Sequence, residues 1–227
     1  MPQETNLNVA PYFDDFDKGS NYNKVLFKPA YPVQARELNN LQSILQGQIE
    51  DMGDNLFKEG SLVIPGQLSY SDRFHCVQIQ AEYLGIPVSL YLDQLIGKRI
   101  VGRTSGVTAT VVTYITNEQS VRGLYTLYLN YESSGEDNTT EFFQDDEVLV
   151  TESTISYATT FIAAGEGFAN TIAVEAAATG SAFILQEGVY YLRGHFVNVE
   201  SQILILEQYG TNASYRIGFT VNEEVIS

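Results

Sequence analysis

The apolar positions near the N-terminus follow a helical period. Between residues 34 and 56 they are separated by steps of three and four, which places them on one side of an α-helix. The steps repeat every 11 residues, so we expect a nearly straight helix with at most a weak right-handed supercoil. This apolar set, called the stripe below, consists of Leu38, Leu41, Leu45, Ile49, Met52 and Leu56.

Prolines and glycines set the limits of this helix. Pro29 and Pro32 fix their own φ angles and push the preceding residues towards extended geometry, so the helix is predicted to begin near Gln34. Gly47 and Gly53 each weaken it by about 1 kcal/mol relative to alanine. Packing must therefore stabilise the helix. The sequence leaves two partners open for the stripe, namely the chain's own β-domain or helices from other copies.

From Lys58 onward the pattern changes to short runs of β-branched and aromatic residues separated by glycine, asparagine and serine, which is typical of strands. The sequence therefore predicts a mainly β fold with one long N-terminal α-helix. We expect residues 1–57 to be an arm and helix for oligomerisation and attachment, and residues 58–93 and 152–227 to be a β-domain. Residues 94–151 are predicted to form an inserted small β-barrel or sandwich module. The expected core positions of this module are Ile100, Val107, Val111, Leu127, Leu129 and Val148.

Residues 57–68 and 185–196 share one template, which reads apolar-x-Glu-Gly-x-apolar-x-apolar-x-Gly-x-apolar. Each copy of the template predicts a turn at Glu-Gly, a strand with a period of two and a second turn at the later glycine. We therefore expect two hairpins that belong to one sheet or barrel and that superpose on each other.

The chain is strongly acidic, with 12 basic and 28 acidic residues and a net charge of −16. Such a surface repels phosphate backbones, so we expect no nucleic-acid partner. No run of 18 apolar residues occurs, so we expect no membrane-spanning segment. The N-terminus lacks the basic start and apolar run of a secretory signal. The single cysteine, Cys76, excludes an intramolecular disulfide and a cysteine-based zinc site.

Acidic residues are concentrated between Arg122 and Arg193, where no lysine or arginine occurs. A solvated acidic surface explains this span, and a docking face for a basic partner is the alternative. The densest cluster comprises Glu136, Asp137, Glu141, Asp145, Asp146 and Glu147.

The sequence offers no convincing catalytic or metal site. His75 and His195 are each expected to be structural, because neither lies in a recognisable catalytic pattern. The run from Asp14 to Asn21 resembles the start of a calcium-binding loop. However, counting from Asp15, its glycine falls at position 5 instead of 6, and the twelfth residue is not the required glutamate. We expect no catalytic, cofactor-binding or metal-binding residues and no cofactor.

Two long stretches resemble a known family. They are FDDFDKGSNYNKVLFKPAYPVQARELNNLQSILQGQIEDMGDNLFKEGSLVIPG and EGVYYLRGHFVNVESQILILEQYGTNASYRIGFTVNEEVIS. Both are similar to hallmarks of tailed-phage tail-fibre or baseplate structural proteins, a family common in contractile-tailed phages of cyanobacteria and marine bacteria. The resemblance implies a virion protein of the phage tail, made in the bacterial host cytoplasm. It also implies a homotrimer that contacts other tail or baseplate proteins.

These observations together predict the N-terminal attachment region of a tail-fibre or baseplate protein, with the stripe as its interface. Two alternatives remain open, a receptor-binding module that contacts host glycan and a polysaccharide-degrading tailspike enzyme. An exposed aromatic cleft with paired carboxylates would favour the enzyme, although the chain has no tryptophan. An apolar helix stripe buried between chains would favour the assembly role.

Overall fold

A computed structural model describes residues 5–212 and 214–226. Within these residues the chain is mainly β and holds one α-helix, α1 (Ala35–Leu56), so the predicted fold class is confirmed. Three short 3-10 helices cover Lys18–Ser20, Val88–Leu90 and Leu92–Leu95. The strands are β1 (Leu62–Ile64), β2 (Leu68–Ile79), β3 (Glu82–Tyr83), β4 (Ile86–Pro87), β5 (Arg99–Gly102), β6 (Thr108–Ile115), β7 (Tyr125–Ser133), β8 (Val148–Thr151), β9 (Ile155–Tyr157), β10 (Thr160–Ile162), β11 (Gly167–Asn170), β12 (Ala177–Leu185), β13 (Gly188–Leu192), β14 (His195–Val199) and β15 (Gln202–Glu207).

The chain divides into two compact units. The helical unit comprises Met1–Leu68, Ile184–Gln202 and Arg216–Ser227, and the sheet unit comprises Ser69–Phe183 and Ile203–Tyr215. These boundaries differ from the predicted arm, β-domain and inserted module. The difference arises because the template segments pair with each other beside the helix, which joins both to the helical unit.

In the helical unit, α1 begins close to its predicted start. Gln34 is the residue before the first turn, and its backbone N–H donates to the carboxylate of Glu37 at 3.1 Å. At the other end, the N–H of Phe57 donates to the carbonyl of Gly53 at 2.7 Å. The first bond caps a backbone N–H at the start of the helix, and the second is the last i→i−4 bond at its end.

The sheet of the helical unit has three antiparallel strands in the order β1-β13-β14. The second template segment forms the hairpin β13–β14, which turns at Arg193 and Gly194 with positive φ angles at both residues. The first segment supplies only β1. The prediction of one shared sheet is therefore confirmed, whereas the prediction of two equivalent hairpins is wrong. At Gly66 the chain lies against backbone oxygens of Gln186 and Glu187, so it does not fold back there into a second hairpin.

The sheet unit is built on an eight-stranded sheet in the order β11-β8-β5-β6-β7-β2-β12-β15. The four strands of residues 94–151 are neighbours in the run β8-β5-β6-β7, but the sheet continues beyond them on both sides. Five of the six expected core positions of this region are buried, and Val148 is half-buried. The five buried positions share one hydrophobic core with Val77, Tyr91 and Phe168 from outside the region. Residues 94–151 are thus one part of a larger β-structure.

Successive residues of the central strands face two separate cores, as the period of a strand requires. Val77 belongs to the larger core, whereas its neighbour Cys76 belongs to a smaller core on the other side of the sheet. In β7, Leu127 and Leu129 face the larger core and Tyr128 faces the smaller one. This double burial explains why buried residues follow one another without alternation in these strands, at 76–79 in β2 and at 126–129 in β7.

Candidate interaction surface

The buried side of α1 is opposite the stripe. The buried residues of the helix are Ile44, Gly47, Glu50 and Gly53. At about 100° per residue, their mean direction points away from the stripe. We call this side the inner face of α1. The sequence did not indicate it, because it contains one apolar side chain, two glycines and a glutamate.

Tyr191 is the main contact of the inner face within the helical unit. This tyrosine of β13 is 0% exposed, and its hydroxyl donates to the Glu50 carbonyl at 3.1 Å or to Asp54 Oδ1 at 2.9 Å. Its ring passes directly over Gly53, where an added Cβ would lie only 2.3 Å from the tyrosine oxygen. Gly53 is therefore a site of close approach between helix and sheet.

A second close approach joins the helix to the N-terminal arm, defined here as residues 12–18. The half-buried ring of Phe16 lies over Gly47, where an added Cβ would be 3.1 Å from Cζ. Polar contacts accompany this packing along the helix. They are Asn39 Nδ2 to the Tyr12 carbonyl at 2.8 Å, Ser43 to Asp14, Asn40 Nδ2 to Asp15 Oδ1 at 2.6 Å and Lys18 to Asp51.

These contacts assign a structural role to the aspartates that resemble a calcium loop. Asp14 accepts a hydrogen bond from Ser43, Asp15 accepts one from Asn40, and Asp17 accepts one from the backbone N–H of Gly19 at 3.0 Å. The hydrogen bond from Asn40 is the main cause that lowers the pKa of Asp15. The three carboxylates thus engage three different groups: Asp14 and Asp15 connect the arm to α1, and Asp17 caps the 3-10 helix Lys18–Ser20.

The stripe itself faces away from these contacts. In an ordinary surface helix the apolar side faces the protein's own core. In α1 five of the six stripe residues are exposed, and only Leu41 is half-buried. The exposed fractions are 50% for Leu38, 51% for Leu45, 47% for Ile49, 67% for Met52 and 65% for Leu56. The sequence prediction that the stripe is an interface stays a prediction, and the described chain leaves the stripe uncovered.

Charged residues are confined to the rest of the helix surface. Helical geometry places Gln34, Gln42 and Gln48 beside the stripe, and all three are exposed. Four charged residues of α1, Arg36, Glu50, Asp51 and Asp54, point away from the stripe, and Glu37 lies at its margin next to Leu41. The stripe and these glutamines form an uncharged surface along the whole helix, called the outer face of α1 below.

A groove runs beside the outer face. It has a volume of about 410 Å³ and is open to solvent. Leu45 and Ile49 of the stripe line it together with Leu7 from the N-terminal segment, and its remaining lining is polar and includes Gln42 and the carboxylate of Asp14. A groove beside a row of apolar side chains can receive side chains of a facing helix.

The two histidines belong to different units and have different surroundings. His75 is half-buried in the sheet unit, where its ring lies 5.6 Å from that of Tyr131 and 5.3 Å from that of Phe142. Burial, helped by the nearby Arg73 charge, lowers the pKa of His75. His195 is exposed at the start of β14, and Gln46 Nε2 lies 3.4 Å from its Nδ1.

Sequence reasoning missed the role of Glu147, which it grouped with a solvated acidic cluster. This residue is only 1% exposed. Its carboxylate accepts hydrogen bonds from the N–H groups of Thr104 at 2.7 Å, Ser105 at 2.5 Å and Gln144 at 2.9 Å, and from the Ser105 hydroxyl at 3.1 Å. Nothing in the local sequence distinguishes it from its exposed acidic neighbours, because its donors come mainly from a turn more than 40 residues earlier.

Other members of the acidic cluster organise turns. Asp137 accepts from the N–H groups of Thr140 at 2.9 Å and Thr139 at 3.0 Å, and these bonds hold its pKa well below the usual range. Asp145 Oδ1 accepts from the N–H of Ala176 at 2.8 Å. Among residues 5–212 and 214–226, no three histidine, cysteine, aspartate or glutamate side chains are grouped in a way that could hold a metal ion. No helix in the described part of the chain is both long and apolar enough to cross a membrane.

Comparison with known proteins gives one match. A family model described as a domain of unknown function (DUF4815) matches residues 10–119, a region that includes the arm, α1 and strands β1 to β6. No curated protein and no solved structure matches the chain. From residue 10 to residue 119 the chain is therefore similar to a family whose description states no function.

Proposed function

We propose that this chain is a structural protein of a phage tail, in the N-terminal attachment region of a tail-fibre or baseplate protein, and that it acts by protein–protein interaction. The resemblance of the two quoted stretches to phage tail proteins supports the class of particle. It also supports three copies as the expected number and the phage tail as the location.

The observation that carries the interaction role is the outer face of α1. Large contiguous apolar patches are uncommon on soluble monomers and are typical of interaction sites. The exposed stripe residues, from 47% to 67% exposed, extend from Leu38 to Leu56, along 19 of the 22 residues of the helix. The arm and Tyr191 already cover the inner face, so the outer face is left for a partner. Copies of this chain or another tail protein would each meet this requirement.

The proposal is tested in the phage that encodes this chain. An antibody raised against the purified chain would be applied to intact phage particles and to tails isolated from disrupted particles, and binding would be located by immunogold electron microscopy. We expect gold at one fixed position on every tail, and none on heads. Absence of the chain from purified particles by mass spectrometry, with the chain present in the infected-cell lysate, would contradict a structural role in the tail.

A further inference from the structure

We propose that the outer face of α1 packs against the outer face of α1 in a second copy of this chain. This inference rests on the proposed assembly function and names the partner for the same surface. It commits to contacts between the stripes themselves, with Leu45 and Ile49 near the centre of the contact and Gln42 and Gln48 at its margin.

The charge distribution favours a second copy. Two copies of a chain with a net charge of −16 repel each other over most of their surfaces. Close approach is least unfavourable where both surfaces lack charge, and the stripe and its flanking glutamines contribute no charge, although Glu37 lies at their margin. A basic partner would instead be attracted to the acidic surfaces elsewhere, because charge complementarity directs association. The outer face of a second copy is therefore a better partner for this surface than a basic protein is.

The dimensions of the outer face also suit association between helices. With a rise of about 1.5 Å per residue, the 22 residues of α1 extend over about 33 Å. A typical stable interface buries about 800 Å² on each partner. Five residues of the stripe are 47% to 67% exposed, so a large part of each of these side chains is available to be buried in such an interface. The groove lined by Leu45 and Ile49 offers space for side chains of the facing helix.

The helix is held in place before any partner arrives. Phe16 and Tyr191 pack on Gly47 and Gly53, and the arm's polar contacts connect to the same side of the helix. Association therefore requires no rearrangement of the helix, which reduces the entropic cost of binding. The flanking glutamines can donate and accept hydrogen bonds across the contact without burying a charge.

The test compares the mass in solution of the unmodified chain with that of a Leu45→Asp/Met52→Asp variant, by light scattering coupled to size-exclusion chromatography. Both side chains are exposed, so the variant is expected to fold, which circular dichroism at 222 nm would verify. We expect the unmodified chain to self-associate. We expect the variant to have a dissociation constant raised more than about 100-fold, because four charges would lie in each contact between two copies.

The matched control is Leu84→Asp/Val121→Asp, which makes the same change in charge at two exposed apolar residues of the sheet unit. We expect its mass to equal that of the unmodified chain. A second variant, Leu45→Ala/Met52→Ala, removes apolar area without adding charge and is expected to weaken association about tenfold.

Two results would overturn the inference. One is a monomeric unmodified chain at every concentration measured. The other is an oligomer whose mass is the same in the Leu45→Asp/Met52→Asp variant. Neither result removes the chain from the phage tail, because another tail protein could then cover the outer face. Absence from the particle would instead refute the proposed function and leave the contact between copies standing.

Discussion

Replacement of Gly53 by alanine tests the packing that orients the outer face. The usual effect of Gly→Ala inside a helix is stabilisation by about 1 kcal/mol, because alanine has the higher helix propensity. In this helix the new methyl group would lie 2.3 Å from the Tyr191 oxygen and 2.5 Å from Cε2 of its ring. Tyr191 is fully buried and its hydroxyl is hydrogen-bonded to the helix, so the ring has little room to move.

The expected magnitude follows from three contributions. Overpacking a well-packed contact costs about 1–3 kcal/mol. Displacement of the Tyr191 hydroxyl weakens a hydrogen bond to Glu50 or Asp54, which costs about 1 kcal/mol. Helix propensity offsets about 1 kcal/mol of this. We therefore expect Gly53→Ala to lower the free energy of unfolding by about 2 kcal/mol, and the melting temperature by about 4–8 °C for a chain of this size.

Circular dichroism at 222 nm during thermal and urea denaturation measures this change, because α1 is the one long helix in the described chain. Gly47→Ala is the matched control. Its methyl group would lie 3.1 Å from the tip of the half-buried Phe16 ring, which can shift by a few tenths of an ångström. We expect this control to be neutral or stabilising by up to about 1 kcal/mol. If Gly53→Ala proved as stable as Gly47→Ala, the close contact between α1 and Tyr191 would be refuted.

Three further changes test other parts of the structure. Glu147→Ala removes the acceptor of four hydrogen bonds, so we expect the free energy of unfolding, measured by urea denaturation, to fall by about 3 kcal/mol or more. We expect a smaller decrease for Glu147→Gln. An unchanged urea midpoint for Glu147→Ala would contradict the buried role. Burial raises the pKa of the Cys76 thiol to about 12. We therefore expect a thiol reagent at pH 8 to label Cys76 only after the chain unfolds. Rapid labelling of the folded chain would contradict the burial of this residue. Lys18→Ala breaks an exposed ion pair with Asp51. Exposed ion pairs contribute little to stability, so we expect the variant to have the melting temperature of the unmodified chain. A clear decrease would show that the attachment of the arm depends on this pair.

Periodicity was sufficient to predict the helix and the composition of its apolar side. Steps of three and four residues located the stripe, and two prolines located the start of the helix within one residue of Ala35. The alternation of strands also identified Ile100, Val111 and Leu127 as buried positions. These features depend on neighbours close in sequence, so a local pattern contains the necessary information.

The inner face of α1 could not be predicted from the same pattern. Glycine appears in sequence only as a helix-weakening residue, whereas here Gly53 provides room for Tyr191, which is 138 positions later in the chain. The burial of Glu147 likewise depends on a turn at residues 104 and 105. The pairing of β1 with β13 likewise connects segments that are distant in sequence, so no local pattern indicates it. Long-range contacts of this kind leave no periodic signal.

The central claim is that the stripes of two copies of this chain lie against each other, and cross-linking of Leu45→Cys tests it most directly. Residue 45 lies at the middle of α1, so it meets its counterpart near the same point whether the two helices run parallel or antiparallel. The native Cys76 is fully buried and does not compete for oxidation. Under mild oxidation we expect a disulfide-linked product of twice the 25.2 kDa chain mass on a non-reducing gel, while the exposed control Leu84→Cys remains at the mass of one chain. A Leu45→Cys chain that stays at 25.2 kDa, or that cross-links no faster than Leu84→Cys, would contradict the contact between stripes.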